Sequence, residues 1–377
     1  MPEPSAPFIK SHPEYIYGID LIRFACAFGV AAFHLTWKTP ETAWWMPVGW
    51  VGVQVFFVIS GLVIANSAHG ATPRQFLTSR FLRLYPAAWC AAAISFPLLV
   101  WQFPKMGDRL ERLYFSLILF PGPFLATPYW TLPIELAFYF VVYTVVTFRG
   151  FRHAQWLAAL LILWGVPWGF CSGMNAFGHT HWAWVDFEYL WGNMSLLRYG
   201  PYFGLGILIW LFKERRIRKL GLFLAGVAVC LAFIEIYTKT ISVLPGFAVA
   251  PEANETPWKH LAATCSLVFV VAVVAILLAV KLNARFPRNA VLRRITRLLG
   301  LATYPFYLLH ERVGDFAIYQ ANWAGLGHLA SVIAALVSVG AIALLIARFC
   351  EPALRRLLQH IGHTLDPTPK EPALEAS

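Results

Sequence analysis

Long apolar runs recur along almost the whole chain, and they constrain its fold more than any other feature of the sequence. Each run holds about 17 to 22 residues, enough for a helix to cross roughly 30 Å of hydrocarbon. About ten such runs occur, at 17–37, 50–66, 84–103, 130–148, 154–170, 196–213, 220–237, 261–282, 298–318 and 326–348. A strand barrel would instead show short alternating segments. The pattern predicts an all-α, polytopic membrane helix bundle of about ten transmembrane helices.

One further apolar stretch, at 113–125, is too short to cross a membrane. Pro121 and Pro123 interrupt it, and neither can continue a helix without losing a hydrogen bond. We therefore predict an interfacial or re-entrant segment at this position.

Composition excludes the common soluble classes. Hydrophobic residues make up 59% of the 377 residues, charged residues only 13%, and the mean hydropathy is +0.61. A soluble fold could not hide that much apolar surface, and disordered chains have the opposite composition. The six cysteines form no CxxC pair, so the sequence predicts neither a disulfide framework nor a metal site.

The net charge of +11 is better explained by basic residues that flank membrane spans on the cytoplasmic side than by nucleic-acid binding. With the N-terminus inside, most of the 30 Lys and Arg fall on the inner side of the predicted spans, as expected for cytoplasmic loops. We therefore predict that both termini are cytoplasmic, with a transmembrane domain over 17–356 between a polar segment at 1–16 and a polar tail at 357–377. No nucleic-acid partner is expected.

Arg23 and His34 are ionisable residues within the first apolar run, and such residues are functional candidates by default. Their spacing corresponds to about three helical turns, so both lie on one face, about 16 Å apart along the axis. The simpler alternatives are snorkelling or pairing with Asp20 for Arg23, and an interfacial histidine for His34.

Two arginines, Arg80 and Arg83, lie at positions i and i+3 just inside a predicted membrane boundary. A guanidinium pair suits phosphate oxygens, although positive-inside anchoring explains the position equally simply. Ser60, next to Gly61 in the second run, could line a cavity or bond to its own helix backbone.

Glu135 and His310 fall at the same predicted depth as His34, in the outer half of their spans. Pro305 is expected to kink the span that carries His310. Equal depth does not establish contact, and the sequence does not show whether these three side chains touch.

Together these motifs resemble the acyltransferase-3 family, over about Tyr17 to Arg356. The resemblance is carried by Gly18-Ile19-Asp20 with Arg23 and His34, by the GWVGVQVFFVISG run at 49–61, by Arg80-x-x-Arg83 with Pro86, by Trp130-Thr131-Leu132-x-x-Glu135, by Tyr304-Pro305-x-Tyr307-Leu308-x-His310, and by Glu351-Pro352 with Arg355-Arg356. It implies a membrane enzyme that moves an acyl group, often acetyl, from cytoplasmic acyl-CoA to a hydroxyl of an exported or surface carbohydrate or glycolipid.

Carried over residue by residue, the resemblance implies His34 and Glu135 as catalytic residues and Arg23, Arg80 and Arg83 as ligands of the acyl donor. The remaining candidates line the site: Ser60, Trp130, Tyr307 and His310. In the resulting hypothesis His34 deprotonates the acceptor hydroxyl, and Glu135 orients or charge-balances His34. An acyl-imidazole intermediate on His34 is a second route. Acyl-CoA is expected as a co-substrate, with no tightly bound cofactor.

Other functions compete with this hypothesis. A multi-span transporter or flippase of a polysaccharide precursor would also have buried charges and kinked helices, but the sequence shows no inverted repeat. A structural subunit of an envelope complex is a third interpretation. The outer segment 171–195 contains aromatic residues that suit either sugar stacking or a membrane interface: Trp182, Trp184, Tyr189 and Trp191. The expected location is the bacterial inner membrane.

Overall fold

The computed structural model describes residues 15–36, 46–148, 150–176, 178, 193–242 and 255–365. Regular secondary structure in these ranges is entirely helical, which confirms the predicted all-α class. The helices are α1 (Tyr17–Thr36), α2 (Gly52–Ala68), α3 (Pro73–Gln102), α4 (Arg109–Ile118), α5 (Thr131–Phe148), α6 (Ala154–Trp164), α7 (Val166–Ala176), α8 (Gly200–Lys213), α9 (Lys219–Ser242), α10 (Glu255–Lys281), α11 (Ala290–Trp323), α12 (His328–Leu345) and α13 (Glu351–Leu365).

Eight helical segments in the described residues are long and apolar enough to cross a membrane. They contain α1, α2, α3, α5, the α6–α7 pair, α9, α10 and α12. The chain is therefore a multi-pass membrane protein by length and composition. A helix with these apolar faces satisfies its backbone internally, as the hydrocarbon requires.

The two other predicted spans are helical but differ from expectation. α8 has only 14 residues and is about 21 Å long, too short to cross the hydrocarbon alone. α11 has 34 residues but carries charged residues along its length, so it does not qualify by composition. By these criteria eight of the roughly ten predicted spans qualify in the described residues, because hydropathy does not separate apolar runs that pack inside protein from runs that face lipid.

The centre of the bundle is the crossing of α2 and α8. Every residue of α8 from Gly200 to Leu211 is buried. Gly61 and Gly206 lie at the crossing, where a Cβ atom on either would collide with the other helix's backbone, at Phe203 O or Val58 O. Small residues of this kind let membrane helices approach closely.

The segment at 113–125 does not cross the bundle. α4 spans about 15 Å and ends at Leu119, whose backbone is left-handed (φ 56°). It lies against α3, where Tyr85 and Trp89 donate hydrogen bonds to the carbonyls of Ile118 (3.2 Å) and Leu117 (2.9 Å). The segment is not among the helices of the described residues that are long enough to cross a membrane, and its interfacial or re-entrant position stays a prediction.

The described residues end with α13, which includes the first part of the predicted polar tail, to Leu365. A π-helical turn at Ile346–Cys350 joins α12 to α13, which packs against α3. The boundary at 357 between transmembrane domain and tail stays a prediction. Residues 366–377, and all but the last two residues of the 1–16 segment, lie outside the described ranges.

Candidate active site

A cavity of about 80 Å³ lies among α1, α2, α3, α5 and α11. Its polar lining consists of Arg23, Ser60, Arg80, Arg83, Thr131, Glu135, Tyr139, Thr303, Tyr304 and Tyr307. Six of the nine site residues predicted from sequence therefore line one space, although they come from five helices. We call this space the arginine cavity.

Helical spacing explains how these side chains come to face inward. Thr131, Glu135 and Tyr139 follow one another at intervals of four along α5, and Arg80 and Arg83 are three apart on α3. Residues at these intervals lie on one face of a helix. Each helix thus turns a polar stripe toward the cavity.

Glu135 is held by neighbours within the cavity. Ser60 Oγ donates to Glu135 Oε1 at 2.5 Å, and Tyr139 donates to Glu135 Oε2 at 3.3 Å. Of the two options for Ser60, the structure thus shows the cavity-lining one. Glu135 makes no hydrogen bond to His34 in the described residues, so the expectation that it orients the imidazole directly is not met.

The arginines bring positive charge to the same space. Arg23 Nε is buried and has no hydrogen-bond partner in the part of the chain that the structure describes. Arg83, Asp20 and Glu135 lie within electrostatic reach of its guanidinium. Asp20 itself accepts a hydrogen bond from the Tyr15 hydroxyl. An unmatched N–H inside a charged cavity is a feature expected of a site that receives an anionic or polar ligand.

A further ion pair adjoins the arginines and was not assigned a role from sequence. Glu351, only 3% exposed, pairs with Arg355 one turn later on α13. Both lie within electrostatic reach of Arg83. Arg355 Nε is likewise buried without a partner among the described residues. The sequence signal was present in the Glu351-Pro352 motif, but nothing in it indicates proximity to α3.

His34 and His310 lie side by side, with ring centroids 5.1 Å apart, but neither lines the arginine cavity. His310 is fully buried, and its Nδ1 lies 2.6 Å from the carbonyl of Tyr307. Because a carbonyl can only accept, Nδ1 carries a proton. His310 Nε2 is buried and has no partner within the described ranges.

Tyr307 connects the two groups of residues. Its side chain lines the arginine cavity, and its ring centroid lies 5.7 Å from that of His310. Glu135 is within electrostatic reach of Tyr307. The structure thus brings His34 and His310 together and places Tyr307 between this pair and Glu135.

Glu311 is a carboxylate near His34 that sequence reasoning missed. It lies within electrostatic reach of the imidazole, and its Oε2 accepts a hydrogen bond from the backbone N–H of Thr127 at 2.6 Å. The signal was available, since Glu311 is an ionisable residue inside a predicted span, directly after His310.

Trp130 lies outside the arginine cavity and lines a second cavity of about 170 Å³. The ammonium of Lys239 lies there, 5.4 Å from the Trp130 ring centroid and 5.0 Å from that of Trp50. Lys239 is also within electrostatic reach of His34. The start of α5 separates the two cavities, because Thr131 and Glu135 line the first and Ile134 lines the second.

A buried polar cluster around Glu235 was also missed. This carboxylate is fully buried; Arg198 pairs with its Oε1 at 2.9 Å, while Tyr202 (2.9 Å) and Gln54 (3.2 Å) donate to its Oε2. Glu235 lies inside the predicted span 220–237, so the rule applied to Arg23 would have identified it.

The described residues contain no group of three or more His, Cys, Asp or Glu side chains that could hold a metal ion. All six cysteines have free thiols. Trp182, Trp184, Tyr189 and Trp191 lie outside the described residues.

The arrangement offers a basic cavity for an anion at one end and a histidine pair for proton transfer at the other, linked through Tyr307. Such a layout suits transfer of a group from an anionic donor to a hydroxyl.

Comparisons with known proteins agree with this chemistry. A family model described as an acyltransferase domain matches residues 16–349. BcsY of Komagataeibacter xylinus is 24% identical over 198 residues, covering 47% of this chain and 48% of BcsY. The exopolysaccharide production protein ExoZ of Rhizobium meliloti (strain 1021) is 32% identical over 121 residues, covering 29% of this chain and 37% of ExoZ.

The peptidoglycan O-acetyltransferase OatA of Listeria monocytogenes is 25% identical over 177 residues, covering 40% of this chain and 27% of OatA. The chain thus spans about half the length or less of these relatives. No solved structure matches it.

Proposed function

Since this chain belongs to the acyltransferase-3 family, we propose that it transfers an acyl group, most simply acetyl, from cytoplasmic acyl-CoA to a hydroxyl of an exported or cell-surface carbohydrate or glycolipid. The observation that carries the proposal is the arginine cavity, which is lined by Tyr307, whose ring lies beside the paired rings of His310 and His34. The names of ExoZ, an exopolysaccharide production protein, and OatA, a peptidoglycan O-acetyltransferase, support a polysaccharide acceptor. A bacterial plasma membrane location is part of the proposal.

The basic residues suit the donor. Coenzyme A carries phosphates that cannot enter lipid, and guanidinium groups bind phosphate through charge-assisted hydrogen bonds. In the proposal Arg80 and Arg83 receive these phosphates on the cytoplasmic side, and Arg23 lies deeper in the same cavity. Arg355 adds a fourth guanidinium next to Arg83.

The histidine pair suits the acceptor. His34 takes the proton from the acceptor hydroxyl while the oxygen of that hydroxyl attacks the thioester carbonyl. The carbon–sulfur bond then breaks, and coenzyme A leaves as the thiolate. In its neutral form His310, protonated on Nδ1, presents a bare Nε2 that can accept a hydrogen bond beside His34. A covalent acyl-imidazole on His34 would replace the direct attack with two transfers.

The carboxylates divide the work between them. Glu311 is the acidic group that acts on His34, so we assign it the stabilisation of the imidazolium. Glu135, bonded to Ser60 and Tyr139, balances the charge of Arg23 and Arg80 instead. This changes the role expected for Glu135 from the sequence but keeps it in the site.

The test is an assay of acyl transfer in membranes. Transfer is measured as release of free thiol from acetyl-CoA and as acylation of surface glycans detected by mass spectrometry. His34→Ala should lower transfer by about 10²- to 10⁴-fold, the usual contribution of a general base. Glu311→Gln should lower it by about tenfold, and Glu311→Asp should restore part of the loss.

His260→Ala is the matched control, because His260 is an exposed histidine on α10. The proposal is rejected if His34→Ala transfers acyl groups at the wild-type rate at equal protein content. A chain that only transports, as a flippase does, would release no thiol in any of these membranes.

A further inference from the structure

A groove of about 630 Å³ lies between α8, α9 and α10, far larger than either cavity described above. Its lining is apolar except for one cation: Leu205, Leu208, Ile209, Phe212, Ile217, Leu222, Ala225, Gly226, Val229, Cys230, Val273, Leu277, Leu278 and Lys281. The volume falls in the roughly 300–1,000 Å³ range of small-molecule sites. An apolar groove of this size needs an apolar occupant.

The groove opens toward the surroundings of the bundle. Its floor consists of buried residues of α8, such as Leu208 and Ile209, while its rims are exposed at Leu222 on α9 and Leu278 on α10. Both α9 and α10 are long and apolar enough to cross a membrane. The exposed rims therefore face lipid, and lipid has direct access to the groove.

The groove covers only one end of the bundle. From Val273 to Lys281 it extends about 12 Å along α10, close to the thickness of one hydrocarbon leaflet. At this end, α8 finishes at Lys213, α9 begins at Lys219 and α10 finishes at Lys281. Of these lysines only Lys281 lines the groove, and the ammonium of Lys213 pairs with Glu214 at 2.7 Å. Lys281 thus places a cation at the level where phospholipid headgroups lie.

We propose that this groove binds one acyl chain of an anionic phospholipid, whose headgroup phosphate lies on Lys281. The chain fills the space between α8, α9 and α10, which covers the floor of the groove, and the phosphate complements the lysine at its mouth. This site is separate from the arginine cavity and does not depend on the acyltransferase activity.

Gly226 provides a clean way to block the groove. Gly226 lines the groove, and a Cβ atom at this position meets no atom within 4 Å, so we expect a larger side chain to be tolerated there and to occupy part of the groove. Gly226→Trp should therefore reduce the space and leave the packing of α8 intact. Leu267→Trp is the matched control, because Leu267 is exposed on α10 outside the groove.

The experiment is native mass spectrometry of the full chain purified in mild detergent, with extraction and identification of the bound lipid. We expect one anionic phospholipid per wild-type chain, about tenfold less in Gly226→Trp, and no loss in Leu267→Trp. Lys281→Gln should reduce the preference for phosphatidylglycerol over phosphatidylcholine by about fivefold.

Cys230 supplies a second measurement on the wild-type chain, because its thiol lines the groove. Maleimide should modify it faster after delipidation and more slowly once phosphatidylglycerol is added back. The proposal is overturned if the wild-type chain retains no lipid, if Gly226→Trp retains as much as wild type, or if Lys281→Gln keeps the same preference. It is equally overturned if the groove is filled by a second copy, seen as a dimer that Gly226→Trp dissociates.

Discussion

The arginine cavity and the Glu235 cluster both bury charges between helices, yet they differ in how those charges are satisfied. At Glu235 both carboxylate oxygens are bonded, by Arg198, Tyr202 and Gln54. In the arginine cavity Arg23 Nε and the Tyr304 hydroxyl are buried with no partner in the described residues. Buried polar groups normally find partners within the protein or from a ligand. In the Glu235 cluster the carboxylate is satisfied and only the neutral Gln54 Oε1 lacks a partner among the described residues, whereas the arginine cavity leaves an N–H of a charged guanidinium unmatched, as a ligand site would.

Burial of a charged residue alone therefore does not identify a functional site. A carboxylate with a paired guanidinium and two further donors links α2, α8 and α9 through contacts that its own neighbours supply. Glu135 accepts hydrogen bonds from two hydroxyl groups and lines a cavity with several arginines, so it lies where a charged substrate can interact with it.

The largest effects are expected when each glutamate is neutralised in turn, which tests whether one cluster serves stability and the other activity. Glu235→Gln leaves Arg198 buried without its counter-charge, so we expect a loss of about 3–5 kcal/mol in stability. The specific activity of the protein that still folds should be unchanged. Thermal unfolding in detergent and acyl transfer per folded chain measure the two effects.

Glu135→Gln is the matched variant and should show the opposite pattern, with acyl transfer reduced and the unfolding temperature changed little. If Glu235→Gln unfolds at the wild-type temperature and loses only activity, the two clusters do not differ as proposed.

A weaker effect is expected at Arg83, in the part of the arginine cavity that is proposed to bind the donor phosphates. Arg83→Gln removes a charge-assisted contact to the donor phosphates, worth about 1.5–3 kcal/mol, so KM for acetyl-CoA should rise by roughly 10- to 100-fold. Initial rates of thiol release at varied acetyl-CoA measure this change.

The control for that measurement is Arg74→Gln, an exposed arginine on the same helix, which should leave KM unchanged. Equal KM shifts in both variants would show that the loss of surface charge raises KM, and not the loss of a contact between Arg83 and the donor phosphates.

The smallest effect is expected for Ser60→Ala. It removes one hydrogen bond to Glu135, worth about 1 kcal/mol, so acyl transfer should fall by about fivefold. Ser67→Ala, which removes only a bond to the backbone carbonyl of Ile64, should leave transfer unchanged. A wild-type rate for Ser60→Ala would show that the position of Glu135 does not depend on this hydroxyl.

Most of the candidate site could be predicted because ionisable residues are rare in apolar helices. Arg23 and Glu135 stood out for that reason, and Arg80 and Arg83 stood out as a guanidinium pair at a membrane boundary. The structure places all four around one cavity. The same rule would have found Glu311 and Glu235. It could not have separated their roles, because both are acids in apolar surroundings and only their partners differ.

Hydropathy established the class of the fold, because the bilayer admits only helices whose apolar length matches its thickness. It could not determine that α8 is a short helix enclosed by protein, since a run buried among helices and a run in lipid have the same composition. Likewise, helical spacing placed Arg23 and His34 on one face of α1. Only the packing of α1 against α11 brought His34 beside His310, and placed Glu311 rather than Glu135 within reach of its charge. Spacing along one helix follows from the geometry of the backbone, whereas proximity between helices depends on how their side chains interlock.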